Sequence, residues 1–439
     1  MNRFNYIALS ACVALSVSSY DDSFDVSSKA DGVLAVSQEG FNTLQSYNVG
    51  EKYTADLWIQ QGGLKSTASV VSFSVDKALL DSMNAADGTS YELLPADCYQ
   101  LTKGTVDIPA DERLLKGELT YDPAKIQQLS GYDHLKYVLP LRATSNGMPL
   151  VPGRSALLLG FKVSEPIVTI MNAGVEEINL ADVKELPVQI GVPFTNKWEI
   201  TCRLENRQSV IDAYNTANGT YFSMLPSDAY VAPETPVLQN GVNQVTATYK
   251  LKDDILPGNY MLPVQIAEVT SDATIRADKD TMLYSIIKEG DKLSKTDWKI
   301  VSFTTEEPSG EGSNNGHAKH LIDGNAETFW HSRWQGGSDP LPYEIIIDMN
   351  HRVKIAQVEL LPRGRGSNNP IKVVRFEASE DGNNWESIGQ FGFTNQDAAL
   401  KYYVKSSTAR YIKLVIPDGV GNGTVAAIRE LDVRGTVIN

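Results

Sequence analysis

The chain has 439 residues, which is too long for one hydrophobic core and typical of about three domains. Its 42% hydrophobic and 21% charged residues are ordinary for a folded protein and exclude disorder along the whole chain. The formal net charge is −15 and no run of lysine or arginine interrupts it, so a nucleic acid or an anionic membrane surface is not an expected partner.

Residues 1–20 have the pattern of an export signal. Arg3 precedes an apolar run over 6–17, which is too short to span a bilayer permanently, and small residues and acids follow. The pattern resembles the leader of Bacteroidetes lipoproteins, in which a cysteine follows small residues and precedes acids. Here Tyr20 stands at that position, while LSAC at 9–12 fits a lipobox but leaves a short hydrophobic region. We predict an exported protein at the cell surface or outer membrane and leave lipid anchoring open.

Two similar segments follow the leader. NAADGTSYELLPADCY at 84–99 parallels NTANGTYFSMLPSDAY at 215–230 without a gap. Further along, YVLPL at 137–141 is matched by YMLPV at 260–264 at a slightly shorter offset, as expected if one loop lost residues. The chain therefore contains two copies of one domain.

Each copy is predicted to be a β-rich, sandwich-like domain with one short helix. Apolar and polar residues alternate in short runs such as VTATY at 245–249, which is typical of half-buried strands. DKALLDSMNAA at 76–86 and RQSVIDAYNTA at 207–217 have helical spacing before a glycine. We place the domains at 35–165 and 166–290. They resemble the tandem Bacteroidetes domain of unknown function 1735, which often precedes glycan-binding or glycosidase modules in surface proteins.

From residue 297 the pattern changes to strands at short intervals. The predicted strands are YEIIIDM at 343–349, KIAQVELLP at 354–362, VVRFEAS at 373–379 and ARYIKLVI at 409–416. Without helical spacing between them, they indicate a jelly-roll β-sandwich over 297–439. The predicted fold class is therefore all-β: two tandem sandwich-like repeats followed by a jelly roll.

The order of motifs in this last domain is specific. LIDGNAETFWHSRW at 321–334, then IIIDM, LLPR, FEASEDGNNW and a closing IRELDVRG, resemble F5/8 type C (discoidin-like) domains. Bacterial members of that family form the family 32 carbohydrate-binding modules. The resemblance implies a sandwich fold and a glycan ligand, of galactose type or on a host glycoprotein.

A calcium ion is predicted in the first of these motifs. Asp323, Asn325 and Thr328 offer the oxygen ligands that Ca²⁺ prefers around a tight turn. The alternative is an Asx turn in which Asp323 bonds its own backbone. The turn can also offer a main-chain carbonyl near His320. The resemblance favours calcium, and it implies that Glu430 completes the shell. The ion is expected to be structural.

The predicted ligand set follows from the same resemblance. His331 and Trp334 match the family's hydroxyl-bonding imidazole and stacking ring, whereas Trp330 is expected in the core. Arg363 and either Asn368 or Asn369 match the groups that reach the same hydroxyls, since a guanidinium can donate to two sugar oxygens at once.

An acid is expected to accept from a further hydroxyl, and Glu307 or its neighbour Glu306 is the candidate. Each predicted ligand residue taken alone has a structural alternative, such as packing, a turn or a surface ion pair. The set as a whole predicts binding. Family members often add an aromatic residue in a loop near the C-terminus, but PDGVGNGTVAA at 417–427 has none, which leaves selectivity for galactose-like sugars open.

The motifs of common hydrolases and nucleotide-binding enzymes are missing from the sequence. We therefore predict a non-catalytic, monomeric surface glycan-binding protein of a Bacteroides polysaccharide-utilisation system. Its expected partners are glycans, an outer-membrane transporter and glycosidases of the same system. The alternative from another class is an adhesion or assembly protein whose sandwich-end loops bind a protein. A weak glycosidase that uses acids of the repeats is a third hypothesis.

Overall fold

The computed structural model describes residues 31–438 and divides the chain into two compact units, of which the first ends at Ser164 and the second begins at Glu165. Both units consist mainly of strands, which confirms the all-β prediction. The predicted leader at 1–20 lies outside the described residues. Within 31–438, no helix combines the length and the apolar character that a membrane span requires.

The first unit consists of two sheets and contains the first repeat. Its strands are β1 Val33–Val36, β2 Gly40–Tyr47, β3 Tyr53–Gly62, β4 Ser69–Val75, β5 Glu92–Leu93, β6 Tyr99–Lys103, β7 Thr105–Ile108, β8 Leu114–Tyr121, β9 Tyr137–Asn146 and β10 Ala156–Ser164. Its helices are α1 Lys77–Asp87 and α2 Pro123–Gln127. One sheet has the order β1-β3-β8-β6, and the other has the order β2-β10-β9-β4-β7 with β5 beside β9.

Local sequence explains the ends of the predicted helix in this repeat. Asp76 caps α1, because its carboxylate accepts hydrogen bonds from the main-chain N–H groups of Ala78 and Leu79. The helix ends at Gly88, whose φ of 66° is in the left-handed region that favours glycine. Leu80 is the buried residue of α1 and packs against β9 and β10.

The second repeat begins the second unit and keeps the strand orders of the first, with one added strand, β20 at Arg276–Ala277, and, in its described residues, without a helix that corresponds to α2. Its strands are β11 Ile167–Ile170, β12 Gly174–Ile178, β13 Glu185–Gly191, β14 Ile200–Glu205, β15 Ser223–Met224, β16 Tyr230–Val231, β17 Val237–Leu238, β18 Gln244–Leu251, β19 Gly258–Thr270, β20 Arg276–Ala277 and β21 Met282–Lys288, with helix α3 Gln208–Asn218. The sheets have the orders β16-β18-β13-β11-β20 and β12-β21-β19-β14-β17, with β15 beside β19.

An asparagine in each helix fixes the loop that follows it. Asn215 donates from Nδ2 to the carbonyl oxygen of Phe222 (2.8 Å) and accepts from the N–H of the same residue (2.9 Å). Asn84 makes the matching pair of bonds to Tyr91, at 2.9 and 3.0 Å. The two repeats therefore share loop geometry as well as sequence.

The C-terminal sandwich completes the second unit. Its strands are β22 Asp291–Lys292, β23 Lys299–Phe303, β24 Trp330–His331, β25 Tyr343–Pro362, β26 Val373–Ser379, β27 Glu386–Gly392, β28 Leu400–Ile416 and β29 Ala427–Val437. The order is β22-β29-β25-β28-β26-β27, with β23 beside β25 and β24 beside β29.

One large hydrophobic core lies inside this sandwich, and it positions the loops at the end of the domain. Trp330 is fully buried there, as predicted, and its indole N–H donates to the carbonyl oxygen of Thr305 (2.9 Å). Ser332 is the first residue after β24, and its main-chain N–H donates to the carbonyl oxygen of Ala426 in the loop before β29. The core thus anchors the loops around residues 305–335 against the start of the last strand.

Candidate functional site

A buried carboxylate joins two of these loops. Glu307 Oε1 accepts from the main-chain N–H groups of Ser309 (3.2 Å) and Gly310 (2.8 Å). Its Oε2 accepts from the N–H groups of Trp334 (2.9 Å) and Gln335 (2.8 Å). Burial alone would raise the pKa of Glu307, but these four bonds lower it to about 2. The ionised side chain therefore connects the loop after β23 to the turn after β24.

This placement does not fit the predicted contact between Glu307 and a ligand hydroxyl. The side chain is fully buried, and both carboxylate oxygens already bind the main chain. Its neighbour Glu306 is also engaged, since Oε2 accepts from the N–H of Ala318 (2.8 Å) and Oε1 lies 3.1 Å from His317 Nδ1. Both acids shape the loops around the site.

Three of the predicted ligand residues come together around an acid that was not predicted, Glu311. Trp334 donates from Nε1 to Glu311 Oε1 at 3.0 Å, and Arg363 donates from Nη2 to Glu311 Oε2 at 3.1 Å. His331 Nε2 lies 3.7 Å from Glu311 Oε1. We call Trp334, Arg363, His331 and Glu311 the loop-end site. The indole of Trp334 is 43% exposed and forms its open face.

The arginine and the histidine of this site are held in fixed positions. The guanidinium of Arg363 lies 4.1 Å from the ring centroid of Phe329, a cation–π contact that fixes its plane. His331 Nδ1 lies 2.6 Å from the carbonyl oxygen of Ser332 and must carry the proton of that bond. Burial lowers the pKa of His331, so the ring is neutral near pH 7. Because the side chain of His331 is itself buried, its role as a ligand residue stays a prediction.

The two predicted asparagines differ in placement. Asn369 is buried, donates from Nδ2 to the carbonyl oxygen of Ala427 (2.6 Å) and accepts from the N–H of the same residue (3.3 Å). Its amide therefore holds the start of β29, which does not fit the predicted contact with a sugar. Asn368 is exposed in the same loop as Arg363, and its role as a ligand residue stays a prediction.

Sequence reasoning missed Glu311 and Phe329. Glu311 stands in the turn segment SGEGSN, where a single acid has the pattern of a solvated loop residue. It reaches Trp334 and Arg363 only because Glu307 binds the N–H groups of Gly310 and Trp334 and so brings the two loops together. No short-range signal in the sequence reveals this contact.

The residues predicted to bind calcium form a second polar cluster. Asp323 Oδ1 accepts from the N–H of Asn325 (2.9 Å), which is the Asx turn considered above. Asp323 Oδ2 accepts from the hydroxyl of Thr328 (2.7 Å) and lies 2.9 Å from His320 Nδ1. Burial alone would raise the pKa of Asp323, but these hydrogen bonds lower it below its usual value.

Glu430 from β29 completes this cluster. Its carboxyl group is buried and faces that of Asp323, and Oε1 has no hydrogen-bond partner among the residues that the structure describes. Lys295 forms an ion pair with the other oxygen. Burial raises the pKa of Glu430 to about 7; Lys295 opposes the rise and Asp323 adds to it. Two facing acids and an unpaired buried oxygen fit a cation between them.

A metal here would need more than acid ligands. Residues 31–438 contain no group of three or more His, Cys, Asp or Glu side chains arranged to hold a metal ion. Oxygens of Asn325, Thr328 and the main chain would have to supply the remaining ligands beside Asp323 and Glu430, which is a donor set that Ca²⁺ accepts.

Replacement of Glu307 by glutamine is expected to destabilise the C-terminal sandwich by about 3 kcal/mol, because an amide nitrogen cannot accept the N–H groups that one carboxylate oxygen now binds. A folded pKa of about 2, below the ordinary 4.5, also means that Glu307 contributes stability above about pH 4.5 that is lost as the pH falls towards 2. Thermal unfolding at pH 7 and pH 3 measures both effects, and Glu307→Gln should show a smaller fall in Tm on acidification.

The exposed acid Glu380, whose partner is Arg352, provides the control variant Glu380→Gln. The free energy of unfolding of this variant should stay within about 0.5 kcal/mol of the wild-type value, so its Tm should change little. Equal Tm values for wild type and Glu307→Gln at pH 7 would contradict the role assigned to the four hydrogen bonds.

Several known proteins are similar to part of this chain. A sialidase of Micromonospora viridifaciens is 28% identical over 145 residues, which are 33% of this chain and 22% of the sialidase. The chain thus spans about a fifth of the length of that curated relative. The C-terminal domain of a chitobiase from Bacteroides fragilis is 97% identical and covers 34% of this chain and 100% of that one, with a TM-score of 0.34.

A CBM32 module from Clostridium perfringens, solved in complex with GalNAc-β-1,3-galactose, is 30% identical and covers 33% of this chain and 99% of that one, with a TM-score of 0.30.

Two domain families match the chain. The F5/8 type C domain matches residues 302–431, as the motifs of the last domain predicted. A family described as an N-terminal domain matches twice, at 30–149 and 165–273, which confirms the internal repeat. The finer assignment of the repeats to domain of unknown function 1735 stays a prediction. The chain belongs to the family of that N-terminal domain, which it carries in two copies, and ends in an F5/8 type C domain.

Proposed function

We propose that this protein is a non-catalytic, exported glycan-binding protein of a polysaccharide-utilisation system, and that its loop-end site holds the sugar. The observation that carries the proposal is the convergence of an exposed indole, a guanidinium, an imidazole and a carboxylate on one another at the end of the sandwich. Such a set offers a stacking face together with fixed donors and acceptors, which is what a pyranose requires.

Each group of the site has a role in this proposal. The C–H face of the sugar ring packs on the exposed indole of Trp334. Arg363, which the Phe329 ring keeps in place, donates to ring hydroxyls, and Glu311 and the neutral His331 accept from them. Because Glu311 pairs with Arg363 and Trp334, sugar hydroxyls would replace part of these hydrogen bonds rather than fill an apolar recess.

This polar character favours a glycan over the protein partner of the adhesion hypothesis. Interfaces that bind proteins present apolar groups at their centre, with charged residues depleted. At the loop-end site, the exposed ring of Trp334 contacts the acid Glu311, and the basic Arg363 lies on the other side of that acid. Galactose-type sugars, predicted from the sequence, are the first ligands to test.

The export pattern at 1–20 supports a place at the cell surface. In this setting the protein captures glycan chains, while glycosidases and an outer-membrane transporter of the same system provide cleavage and uptake. The two repeats would connect the binding domain to the surface.

We also propose that Asp323, Asn325, Thr328 and Glu430 hold a structural Ca²⁺ ion. The support is geometric: two buried or partly buried carboxyl groups face each other, and one oxygen of Glu430 has no partner in the described part of the chain. The ion would neutralise the two acids and connect the loop before β24 to β29.

Loss of the stacking ring or of the guanidinium should weaken glycan binding. Trp334→Ala and Arg363→Ala are each expected to lower the affinity for a bound glycan by about tenfold or more, since each removes an interaction worth about 1.5 kcal/mol. Isothermal titration calorimetry with galactose, N-acetylgalactosamine and GalNAc-β-1,3-galactose, preceded by a glycan array, measures the change.

Phe303→Ala is the matched control, because Phe303 is as exposed as Trp334 (44% against 43%) but lies outside the loop-end site. It should bind glycan as the wild type does. Binding by wild type, Trp334→Ala and Arg363→Ala with the same affinity would remove the site proposed here.

Calcium should stabilise the C-terminal sandwich. At a hundredfold excess over its Kd, the ion is expected to add about 2.7 kcal/mol and to raise the Tm of this domain by about 5 °C or more. Differential scanning calorimetry with Ca²⁺ and with a chelator measures the effect. Glu430→Gln should lose the response, whereas the exposed Asp418→Asn should keep it. Identical melting curves with calcium and with chelator would count against the ion.

A further inference from the structure

The second repeat and the C-terminal sandwich, which lie in the same unit, are joined by buried hydrogen bonds. Asn259 on β19 donates from Nδ2 to the carbonyl oxygens of Ala356 (2.8 Å) and Val404 (2.7 Å). Its main-chain N–H donates to the hydroxyl of Ser406 (2.9 Å). Because Asn259 is almost completely buried, this contact has the character of a domain interior and fixes the junction.

A tyrosine makes a second connection across this junction. The hydroxyl of Tyr221 accepts from the N–H of Gln390 (2.9 Å) and donates to the carbonyl oxygen of the same residue (3.1 Å). The ring of Tyr221 lies 5.0 Å from that of Phe391, which in turn lies 5.0 Å from that of Tyr402. Three aromatic rings therefore run from the repeat into the sandwich.

The first repeat lacks both of these residues. Tyr221 precedes Phe222, whose counterpart is Tyr91, so the equivalent of Tyr221 is Ser90. In the same way, the equivalent of Asn259 in the first copy is Lys136. The two positions differ between the copies, and in the second copy both contact the sandwich.

A cavity of about 330 Å³ lies at this junction. Its wall is formed mainly by aromatic side chains from both partners, which are Tyr221, Phe222, Phe391, Tyr402 and Tyr403. Its size is at the lower end of the range for small-molecule sites, which are commonly lined by aromatic groups. We call it the junction cavity. None of its lining residues belongs to the loop-end site.

A larger, more polar cavity of about 700 Å³ adjoins it, and the two share the loop 219–222. Polar and charged side chains contribute to the wall of the larger cavity, among them Gln208, Asp212, Thr216 and Lys405. The pair of cavities thus offers an aromatic pocket beside a surface with hydrogen-bond donors and acceptors. A ligand with one apolar and one hydroxyl-rich part matches this division.

We infer that the junction binds a second carbohydrate, a pyranoside whose apolar substituent enters the aromatic cavity while its hydroxyls face the larger polar cavity. The aromatic rings supply stacking faces, and Gln208, Asp212 and Lys405 of the adjoining cavity supply hydrogen-bond donors and acceptors. This site goes beyond the loop-end function, because its residues come from the second repeat as well as from the sandwich.

The test uses p-nitrophenyl β-galactoside, N-acetylgalactosaminide, glucoside and mannoside, with the matching free sugars, titrated into the full chain by calorimetry. The double variant Trp334→Ala/Arg363→Ala isolates the junction. It is expected to bind at least one aryl glycoside, about tenfold more tightly than the free sugar, because the nitrophenyl ring fills the aromatic cavity.

Adding Tyr403→Ala or Tyr221→Ser to the double variant should weaken this binding by about tenfold. Tyr403 is 39% exposed, so its loss tests the cavity without disturbing the core, and Phe303→Ala in the same background is the control. The proposal is overturned if the double variant binds no aryl glycoside, or if neither added substitution weakens the binding.

The two sites can be separated in the same experiment. Tyr403→Ala with an intact Trp334 reports the loop-end site alone. If this variant binds sugar and the double variant does not, the loop-end function is supported and the junction site is rejected. If only the double variant binds, the junction site is supported and the loop-end function is rejected.

Discussion

The binding end of the sandwich depends on one buried negative charge. A carboxylate as deeply buried as that of Glu307 is unstable unless hydrogen bonds replace its lost hydration. Four main-chain N–H groups do so, two from the loop after β23 and two from the turn after β24. Because the same bonds set the distance between Gly310 and Trp334, they determine where Glu311 meets the indole. A residue that touches no ligand thus sets the geometry of the site.

Polar side chains fix irregular backbone in several other places. Loop N–H and C=O groups lack the partners that a strand ladder provides, and a buried loop must find others. Asn369 supplies both kinds of bond to the start of β29, and Asn395 does the same for Gly364 beside Arg363. In the repeats, Asn84 and Asn215 hold the loops after the helices. Loops at the sandwich end and at the junction are therefore shaped before any ligand arrives.

Much of the fold could be predicted because strand alternation and helix stops are local signals. Features that depend on pairing between strands distant in sequence could not be predicted. The runs at 343–349 and 354–362 were expected as two strands, but β25 continues through both, past Asn350 with its φ of 62°. This long strand stays continuous because it pairs with β28 and β29, which are distant in sequence. The pairing shifts its register near Asn350.

The candidate site likewise combines features that local sequence signals predict with features that depend on the whole fold. His331 ends β24, Trp334 lies three residues after it and Arg363 directly follows β25, so these two strands bring the three side chains to one end of the sandwich. The roles of Glu307 and Asn369 could not be read from sequence, since an acid or amide in a loop can turn outward to a ligand or inward to the backbone. Burial decided the question for both residues, and burial depends on the whole fold.

The most direct test of the account is the indole N–H signal of Trp334 in a nitrogen–proton correlation spectrum of the full chain, recorded during addition of glycan. The chain has six tryptophans, and the signal is assigned by its loss in Trp334→Ala. The account predicts that glycan shifts this signal, because the sugar stacks on the indole and changes its bond to Glu311. In the Tyr403→Ala variant, which leaves the loop-end site intact, a glycan that binds while this signal stays unchanged would contradict the account.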